Sequence, residues 1–348
     1  MATFQFGTTQ EEVVTRQEFT LELARQVLQK ETMAVLGYGI QGAAQAMNLR
    51  DQGFNVMVGQ RQGGPSWDRA LADGWIKGET LFDPLVAAER ATVVMYLLTD
   101  VGQMDLWPQL KPLLTAGKTL YFSHGFSVVY NDQTGVVPPA DVDVVLVAPK
   151  GPGKKVRDLF VAGAGVNSSY AVQQDASGQA KQKALALGIG IGSGYLFETT
   201  FAKEVHSDHV GERGVLMGAL TGIIEAQYNL LRSKGHSPSE AFNETVEELT
   251  HSLIPLIDDK GMDYMYANCS MTAQRGALDW RHEFRKAVEP VFERLYQSVL
   301  DGVEVKRVIT AHQDPNYRAH LKQELADMAN SELWQAGAAV RALRPDQQ

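Results

Sequence analysis

The chain of 348 residues contains a single cysteine, Cys269, so it cannot form an internal disulfide bond. It also lacks any run of about 18 apolar residues, the length that a membrane-spanning helix requires. The opening MATFQFGTTQEEVV has no basic segment followed by an apolar one, and it therefore does not resemble a secretory signal. From these absences we predict a cytoplasmic protein without a membrane partner.

Basic residues are outnumbered, with 32 Lys and Arg against 41 Asp and Glu and a net charge of −9. Proteins that bind nucleic acid present a basic surface, so this charge balance argues against a nucleic-acid partner. The hydrophobic content of 44% is ordinary for a globular protein, and the length allows two domains.

The character of the sequence changes near residue 198. Before that point, short β-rich runs alternate with helical segments, which predicts a parallel sheet covered by helices. The runs that we interpret as strands are 32–37, 54–59, 92–98, 119–124 and 143–149. Later segments show helical periodicity instead, at 204–233, 239–258, 278–301 and 317–342. We therefore predict a nucleotide-binding α/β domain of Rossmann type over residues 1–198, and an all-helical domain over residues 199–348.

The segment VLGYGIQGAAQAM carries glycines in the pattern G-x-G-x-x-G, between a β-rich run and an Ala-rich helix. Gly37 permits a tight turn, Gly39 lets backbone N–H groups approach a pyrophosphate, and Gly42 lets the helix pack on the strand. The other residues of this predicted cofactor loop are Tyr38, Ile40 and Gln41. The alternative is a tight turn that binds no ligand.

The end of the second strand predicts which dinucleotide binds. An NAD site usually has Asp or Glu there, whereas this chain reads VMVGQRQGGPSW, with Arg61 in that region and Ser66 shortly after it. A guanidinium and a hydroxyl suit the 2′-phosphate of NADPH, so we predict NADPH as the cofactor. The alternative interpretation of Arg61 is a solvated surface side chain.

Two further strands end in polar residues. Ser123 and His124 follow one strand, and Lys150 lies in APKGPG after another. Ligands of open α/β sheets collect outside the carboxyl ends of the strands, so we expect His124 and Lys150 near the nicotinamide end of the cleft. The alternatives are a structural histidine in a turn and a solvated lysine.

Two pairs of acidic residues are spaced four apart in the helical half. Asp208 and Glu212 begin an apolar stretch, and Glu244 and Glu248 lie beside another. Like charges at this spacing share a helix face and repel each other, which is costly beside apolar surface unless a cation neutralises them. Carboxylates alone select a hard cation, and Mg²⁺ is the one we predict. Solvent-facing carboxylates without a metal are the alternative.

Together these stretches resemble the ketol-acid reductoisomerase family, also called acetohydroxyacid isomeroreductase. The segments that carry the resemblance occur in the family's order, from about residue 30 to residue 290, and the overall length resembles the family's short form. They read GYGIQGAAQAMNLRDQG, SHGF, DVDVVLVAPKGPG, QDASGQA, ETTFAKEVHSDHVGERGVLMG and TAQRGALDW.

The resemblance implies a site with two Mg²⁺ ions. Asp208 and Glu212 match the family's D-x-x-G-E ligands, and Glu244 and Glu248 match two later glutamates that the partner subunit supplies in the short form. The active site would then lie at the interface of a homodimer, which could assemble further. The resemblance also implies a knotted helical domain.

Further roles follow from the same resemblance. Lys150 and His124 match the family's catalytic lysine and histidine, and His124 is also expected to contact the cofactor. Glu248 is expected to bind the substrate's hydroxyl, and Ser270, in NCSMTAQRG, matches a substrate-contacting serine. His206 and His209 stand where relatives often have other residues. They could bind Zn²⁺ or Mn²⁺, but we favour a solvated or supporting role.

The implied substrate is a 2-hydroxy-3-keto acid, either 2-acetolactate or 2-aceto-2-hydroxybutyrate. A magnesium-dependent alkyl migration is followed by reduction with NADPH, which yields a 2,3-dihydroxy acid for valine or isoleucine synthesis. One alternative is a dehydrogenase of the 3-hydroxyacid or 6-phosphogluconate type, which needs no metal carboxylates. Another is a sensor that holds NADPH without turnover, which would leave the two acidic pairs unexplained.

Overall fold

The computed structural model describes residues 1–345 and divides into two compact units, Met1–His206 and the chain from Ser207 onward. The predicted boundary at residue 198 coincides with the last residue of the final strand, Tyr195–Glu198. Among residues 1–345, no helix combines the length and the apolar character that crossing a membrane requires.

The first unit is built on one sheet of ten strands in the order β1-β2-β10-β9-β8-β7-β6-β3-β4-β5. The strands are β1 (Ala2–Phe6), β2 (Thr9–Thr15), β3 (Met33–Leu36), β4 (Val56–Gly59), β5 (Leu81–Phe82), β6 (Val93–Tyr96), β7 (Thr119–Phe122), β8 (Asp143–Pro149), β9 (Ser168–Gln174) and β10 (Tyr195–Glu198). The consecutive neighbours from β5 to β8 along this order are parallel, as the alternation of strands and helices predicts. All five predicted strands are confirmed as β3, β4, β6, β7 and β8.

In the other half the predicted parallel arrangement is confirmed only in part, because β9 and β10 are parallel but several neighbouring pairs are antiparallel. Strand β9 runs antiparallel to β8, β2 runs antiparallel to β10, and β1 and β2 form an antiparallel hairpin. The apolar runs did not predict this hairpin, because most of its residues are exposed and the first four residues of β2 are polar. Strand β9 begins with Ser168 and Ser169, which are buried although they are polar.

Helices cover both faces of this sheet. They are α1 (Leu21–Val27), α2 (Ile40–Asp51), α3 (Pro65–Ala72), α4 (Pro84–Arg90), α5 (Asp100–Leu110), α6 (Phe126–Val129), α7 (Asn131–Thr134), α8 (Gly153–Val161) and α9 (Ala180–Gly190), with a 3₁₀ turn at Lys111–Leu113. Successive side chains of a strand point to opposite faces, so Tyr121 belongs to one buried apolar cluster and Phe122 to the other. This two-sided burial confirms the Rossmann-like α/β architecture.

The second unit is helical throughout its described residues, and the helix that enters it begins in the first unit. The helices are α10 (Phe201–Arg213), α11 (Gly218–Ser233), α12 (Pro238–Phe242), α13 (Ile254–Lys260), α14 (Met262–Ala267), α15 (Met271–Leu300), α16 (Val303–Gln313), α17 (Tyr317–Ala329) and α18 (Glu332–Ala342). Two of the four predicted helical segments, 204–233 and 317–342, each contain two helices. The 204–233 segment breaks after Arg213, where a Cβ on Gly218 would stand 2.2 Å from the Arg213 carbonyl oxygen.

The second predicted helical segment, 239–258, contains an irregularity at the acidic pair. Between α12 and α13 the chain forms π-helical turns at Asn243–Glu247 and Leu249–Leu253. Pro255 follows the second turn, and a proline ring lacks the N–H of a regular helix and collides with the carbonyl four residues earlier. The wider π-helical turn relieves that collision, and such turns are frequent at functional sites.

Candidate active site

The glycine-rich loop joins β3 to α2 at the carboxyl end of the sheet. Gly37 has φ of +96°, and a Cβ on Gly42 would lie 1.9 Å from the Gly37 carbonyl oxygen, so neither position tolerates a side chain. A Cβ on Gly39 would meet no atom within 4 Å, and Gly39 and Ile40 are exposed. The loop is therefore accessible at the start of α2, where the first backbone N–H groups have no acceptor within the helix. That cradle fits a pyrophosphate.

The loop is also attached to the segment that carries Lys150. The Gln41 side chain donates to the Gly151 carbonyl oxygen at 2.9 Å. A Cβ on Gly153, the first residue of α8, would stand 2.2 Å from the Ile40 carbonyl oxygen. The glycines of APKGPG thus allow α8 to begin directly against the start of α2.

The predicted NADPH-selecting residues lie between β4 and α3. Arg61 is exposed beyond β4, and Ser66 is the second residue of α3. The same first turn carries Asp68, an exposed carboxylate that our sequence analysis did not weigh. A carboxylate near this position disfavours a 2′-phosphate and favours a ribose hydroxyl, so the local charges are mixed.

His124 and Lys150 meet through a third residue, Glu204. His124 Nδ1 lies 3.1 Å from Glu204 Oε2, and Lys150 Nζ donates to Glu204 Oε1 at 2.9 Å. The Glu204 side chain is only 1% exposed, whereas those of His124 and Lys150 are 25% and 31% exposed. His124 and Lys150, the two predicted catalytic residues, therefore contact the same buried carboxylate and are themselves partly exposed.

The charge of Glu204 is maintained by its two partners. Burial alone would raise the pKa of the Glu204 carboxyl, but the hydrogen bond from His124 and the charges of His124 and Lys150 lower this pKa to about 2. Glu204 is therefore a carboxylate at neutral pH. It can orient His124 and hold the Lys150 ammonium in place.

Sequence reasoning missed Glu204, although its spacing could have revealed it. Glu204, Asp208 and Glu212 follow one another at intervals of four residues in α10, so they share one face of that helix. The acidic face thus begins one turn earlier than the pair that we singled out. The sequence could not show which residues Glu204 contacts, because His124 and Lys150 lie 80 and 54 residues away in the chain.

The second unit carries the remaining predicted ligands. Glu212 is about half exposed, and Glu244 and Glu248 are both exposed on the π-helical stretch. Among residues 1–345 of one chain, no group of three or more possible ligand atoms includes Glu212, Glu244 or Glu248. This donor set, made only of carboxylate oxygens, fits Mg²⁺ in chemistry, but one chain does not assemble it.

The structure also places Ser270, His206 and His209, the three other residues that the sequence singled out. Ser270 is the N-cap of α15, and its Oγ accepts from the Ala273 N–H at 3.2 Å. The His206 ring lies 6.5 Å from the Tyr130 ring, and His209 is buried. The substrate contact expected of Ser270 stays a prediction.

Family models match both halves of the chain in order. Residues 27–195 match the acetohydroxy acid isomeroreductase NADPH-binding domain, and residues 201–346 match the ketol-acid reductoisomerase C-terminal domain. These two matches together cover most of the chain.

Individual relatives are similar over nearly their full lengths. A protein of Desulfosudis oleivorans named ketol-acid reductoisomerase (NAD(+)) is 60% identical over 346 residues, covering 99% of this chain and 98% of that protein. The mitochondrial ketol-acid reductoisomerase of Neurospora crassa is 54% identical, covering 99% of this chain and 86% of that protein. A solved NADH-preferring ketol-acid reductoisomerase from an uncultured archean superposes with a TM-score of 0.87 at 32% identity, covering 96% of this chain and 99% of that chain.

Proposed function

Because this chain belongs to the ketol-acid reductoisomerase family, we propose that it isomerises 2-acetolactate or 2-aceto-2-hydroxybutyrate with Mg²⁺ and reduces the product with NADPH. The family itself places the enzyme among the isomeroreductases of branched-chain amino acid synthesis, with a domain that binds a pyridine nucleotide. The observation that carries the proposal is the match of both units, in order, to the two domains of one enzyme family.

Asp208 and Glu212 of one chain, with Glu244 and Glu248 of a second, would hold two Mg²⁺ ions. When bound, the cations supply Lewis acidity for alkyl migration, and the dinucleotide supplies a hydride. Lys150, fixed by Glu204, presents an ammonium to the negative charge of the substrate. His124, hydrogen-bonded to the same carboxylate, is placed to hold or pass a proton at its other ring nitrogen.

Burial separates the carboxylates into two roles, one that orients other side chains and one that binds a ligand. Glu204 is buried and committed to His124 and Lys150, so it orients other groups. Glu244 and Glu248 are exposed, so they remain available to a ligand that arrives from solvent. In this proposal Glu248 also accepts a hydrogen bond from the substrate's hydroxyl.

NADPH is the cofactor that Arg61 and Ser66 favour, since both can bind a 2′-phosphate. NADH is the second candidate, and Asp68 in the first turn of α3 supports it. The name of the Desulfosudis relative also points to NAD(+) for that protein. The ratio of kcat/KM for the two cofactors decides between them: a clear excess for NADPH supports the assignment of Arg61 and Ser66, and equal values contradict it.

A homodimer is the assembly that completes the proposed site. Three consecutive apolar side chains that follow α10, Val215, Leu216 and Met217, are 69%, 67% and 64% exposed, directly after Glu212. The 30-residue helix α15 buries only Val299 within the described chain, although it carries exposed aromatic residues such as Trp280. Exposed apolar surface of this extent marks an interaction site, and a second copy would cover it while supplying the missing carboxylates.

The cytoplasmic location stays a prediction. The Neurospora relative is named as mitochondrial, so membership of the family does not by itself identify the compartment. Cell fractionation with antibody detection would test the location directly.

One assay tests the activity. Oxidation of NADPH and of NADH is followed with 2-acetolactate, with and without Mg²⁺, and with a chelator. We expect turnover only with metal present. No turnover with Mg²⁺ and either cofactor would contradict the proposal, and activity that resists the chelator would favour a dehydrogenase of the 3-hydroxyacid type instead.

A Glu212→Gln variant tests the metal ligands. It should lower both the isomerisation and the overall reaction by at least about 100-fold, because it removes a charged oxygen ligand, while the Kd for NADPH changes by less than about twofold. Glu225→Gln makes the same change on an exposed residue of α11 and serves as the control. Calorimetry with Mg²⁺ and NADPH separates the two effects. Loss of NADPH binding would mean that Glu212 is structural.

A further inference from the structure

The direction of two peptide groups decides whether the glycine-rich loop can bind a pyrophosphate. In a trans peptide, the C=O of one residue and the N–H of the next point in opposite directions. The carbonyls of Tyr38 and Gly39 therefore determine where the N–H groups of Gly39 and Ile40 point. Gly39 is flexible and has no side chain that could fix either peptide group.

One side chain from another element holds both carbonyls. Arg69, in the last turn of α3, donates from Nη2 to the Tyr38 carbonyl oxygen and to the Gly39 carbonyl oxygen, the second at 3.1 Å. Its guanidinium carbon lies 5.3 Å from the centre of the Tyr38 ring. A planar guanidinium offers donors in fixed directions, so this contact restricts both peptide groups at once.

The Tyr38 side chain is anchored separately. Its ring is fully buried, its hydroxyl donates to Asp73 at 2.8 Å, and the Trp75 indole N–H donates to that hydroxyl at 2.9 Å. The backbone N–H of Tyr38 donates to Gln60 Oε1 at 2.9 Å. These bonds fix the start of the loop, but none of them reaches the Tyr38 or Gly39 carbonyl.

The side of the loop away from Arg69 is open. Ile40 is 69% exposed, and a Cβ on Gly39 would meet no atom within 4 Å. The Gly39 carbonyl also accepts the first helical bond of α2, from Ala43 N–H at 3.1 Å. Arg69 is thus a second donor to a carbonyl that already belongs to the helix, and it links the loop to the helix start.

We propose that Arg69 is a positioning residue for the cofactor, which holds the N–H groups of Gly39 and Ile40 toward the pyrophosphate before the dinucleotide binds. The inference rests on the proposed binding of a pyridine nucleotide at this loop. Pre-ordering lowers the cost of binding, and the pyrophosphate is common to NADH and NADPH. Arg69 therefore strengthens the binding of both cofactors equally, in contrast to Arg61 and Ser66, which discriminate between them.

The experiment measures Kd by calorimetry for NADH and NADPH with the full-length protein. Arg69→Met should raise both values by about tenfold, equivalent to about 1.4 kcal/mol, and by factors that agree within about twofold. Turnover at saturating cofactor should stay within about twofold, since the reacting groups are untouched. Arg69→Lys should recover part of the loss because an ammonium can still donate to both carbonyls.

The matched control is Arg50→Met. Arg50 donates to the Asp73 carbonyl oxygen at 2.7 Å and lies 4.8 Å from the Trp75 ring, so it belongs to the same cluster without touching the loop carbonyls. It should leave both Kd values within about twofold of the wild type. Arg61→Met should weaken NADPH alone.

Each other outcome overturns the inference in a recognisable way. Unchanged binding in Arg69→Met means that the loop binds the cofactor without the contacts from Arg69. A loss of binding confined to NADPH means that Arg69 contacts the 2′-phosphate. An equal loss in Arg50→Met means that the whole cluster has loosened. If Arg69→Met does not fold, Arg69→Leu takes its place, and unchanged binding of both cofactors by folded Arg69→Leu contradicts the proposal. A wild-type protein that binds neither cofactor refutes the proposed function itself.

Discussion

At the scale of single residues, Glu204 brings together His124 and Lys150, which are distant in the sequence, by contacting both. It is almost fully buried, yet its low pKa keeps it charged because His124 and Lys150 offset the cost of burial. A neutral residue in its place would remove a charged hydrogen-bond partner of the Lys150 ammonium. We therefore expect Glu204 to affect both stability and turnover.

The pH dependence of unfolding tests this assignment. A carboxyl whose pKa falls from 4.5 to about 2 on folding stabilises the protein fully above pH 4.5 and loses that effect as the pH falls toward 2. Compared with Glu204→Gln, the wild type should lose about 1.4 kcal/mol of unfolding free energy per pH unit below 4.5. Urea unfolding at pH 6, 5 and 3.5 measures this. A difference between the two proteins that stays constant from pH 6 to pH 3.5 would contradict the charged state of Glu204.

Lys183 is a second buried charge, outside the candidate site. Its Nζ donates to Asp143 Oδ2 at 3.1 Å and to Thr119 Oγ1 at 3.0 Å, and the Asp143 side chain is fully buried. Burial would raise the pKa of Asp143, but hydrogen bonds from Ser177 and Lys183 lower it. The pair joins the start of β7 and β8 to α9, at the opposite end of the strands from the glycine loop.

Removing one member of this pair should be costly. Lys183→Met should lower the unfolding free energy by about 3 kcal/mol, because it leaves the Asp143 carboxylate buried with fewer partners. The double variant Lys183→Met with Asp143→Asn should recover at least about half of that loss, since the fully buried carboxylate is removed together with the ammonium. Denaturant unfolding at pH 7 gives the comparison. A double variant that is less stable than Lys183→Met would show that packing, and not charge, dominates here.

At the scale of elements, the close contact between α8 and the start of α2 connects the lysine segment to the cofactor loop. The approach is possible only because Gly153 has no side chain at the point where α8 meets the Ile40 carbonyl. Gly151, two residues earlier, faces ordinary contacts, since its Cβ would lie 3.4 Å from a Val166 methyl group. The two glycines therefore offer a matched pair of substitutions.

Gly153→Ala should disturb the cofactor loop, and Gly151→Ala should not. The new methyl group would displace α8 or the loop, so we expect the Kd for the dinucleotide to rise by about tenfold or more. The Gly151→Ala variant should bind within about threefold of the wild type. Fluorescence titration with the reduced cofactor measures both. Equal effects of the two substitutions would refute the close approach.

The same scale shows where sequence reasoning succeeds and fails. The β3–loop–α2 unit follows from local pattern, because apolar runs and glycine spacing act over a few residues. The break between α10 and α11 and the π-helical turns were missed, since helical periodicity continues through both. Such interruptions depend on backbone contacts, such as the one between Gly218 and the Arg213 carbonyl, that periodicity does not report.

At the scale of the whole molecule, the proposed homodimer would cover the exposed apolar faces and bring the four carboxylates together. If the site is shared, a dimer of one Glu212→Gln chain and one Glu248→Gln chain contains one site in which all four carboxylates are intact. The other site of that dimer carries both substitutions. A site built within a single chain would instead be damaged in every subunit.

Co-expression of the two variant chains with different tags tests this arrangement. Each variant alone should be inactive, and the doubly tagged dimer should recover about half of the wild-type activity, because a twofold dimer has two equivalent sites. Wild-type dimers carrying both tags provide the reference. Absence of recovery in purified mixed dimers would contradict the shared site.

Local sequence pattern alone determined the alternation of strands and helices, the glycine loop and the paired carboxylates, because each depends on residues a few positions apart. Tertiary structure alone decided the antiparallel half of the sheet, the meeting of Glu204 with His124 and Lys150, and the contact of Arg69 with the loop. The side-chain contacts join residues 30 to 80 positions apart, and the antiparallel pairing of β2 with β10 joins Thr15 to Tyr195. Periodicity specifies which face of an element is buried, whereas such partners are chosen by the packing of the whole unit.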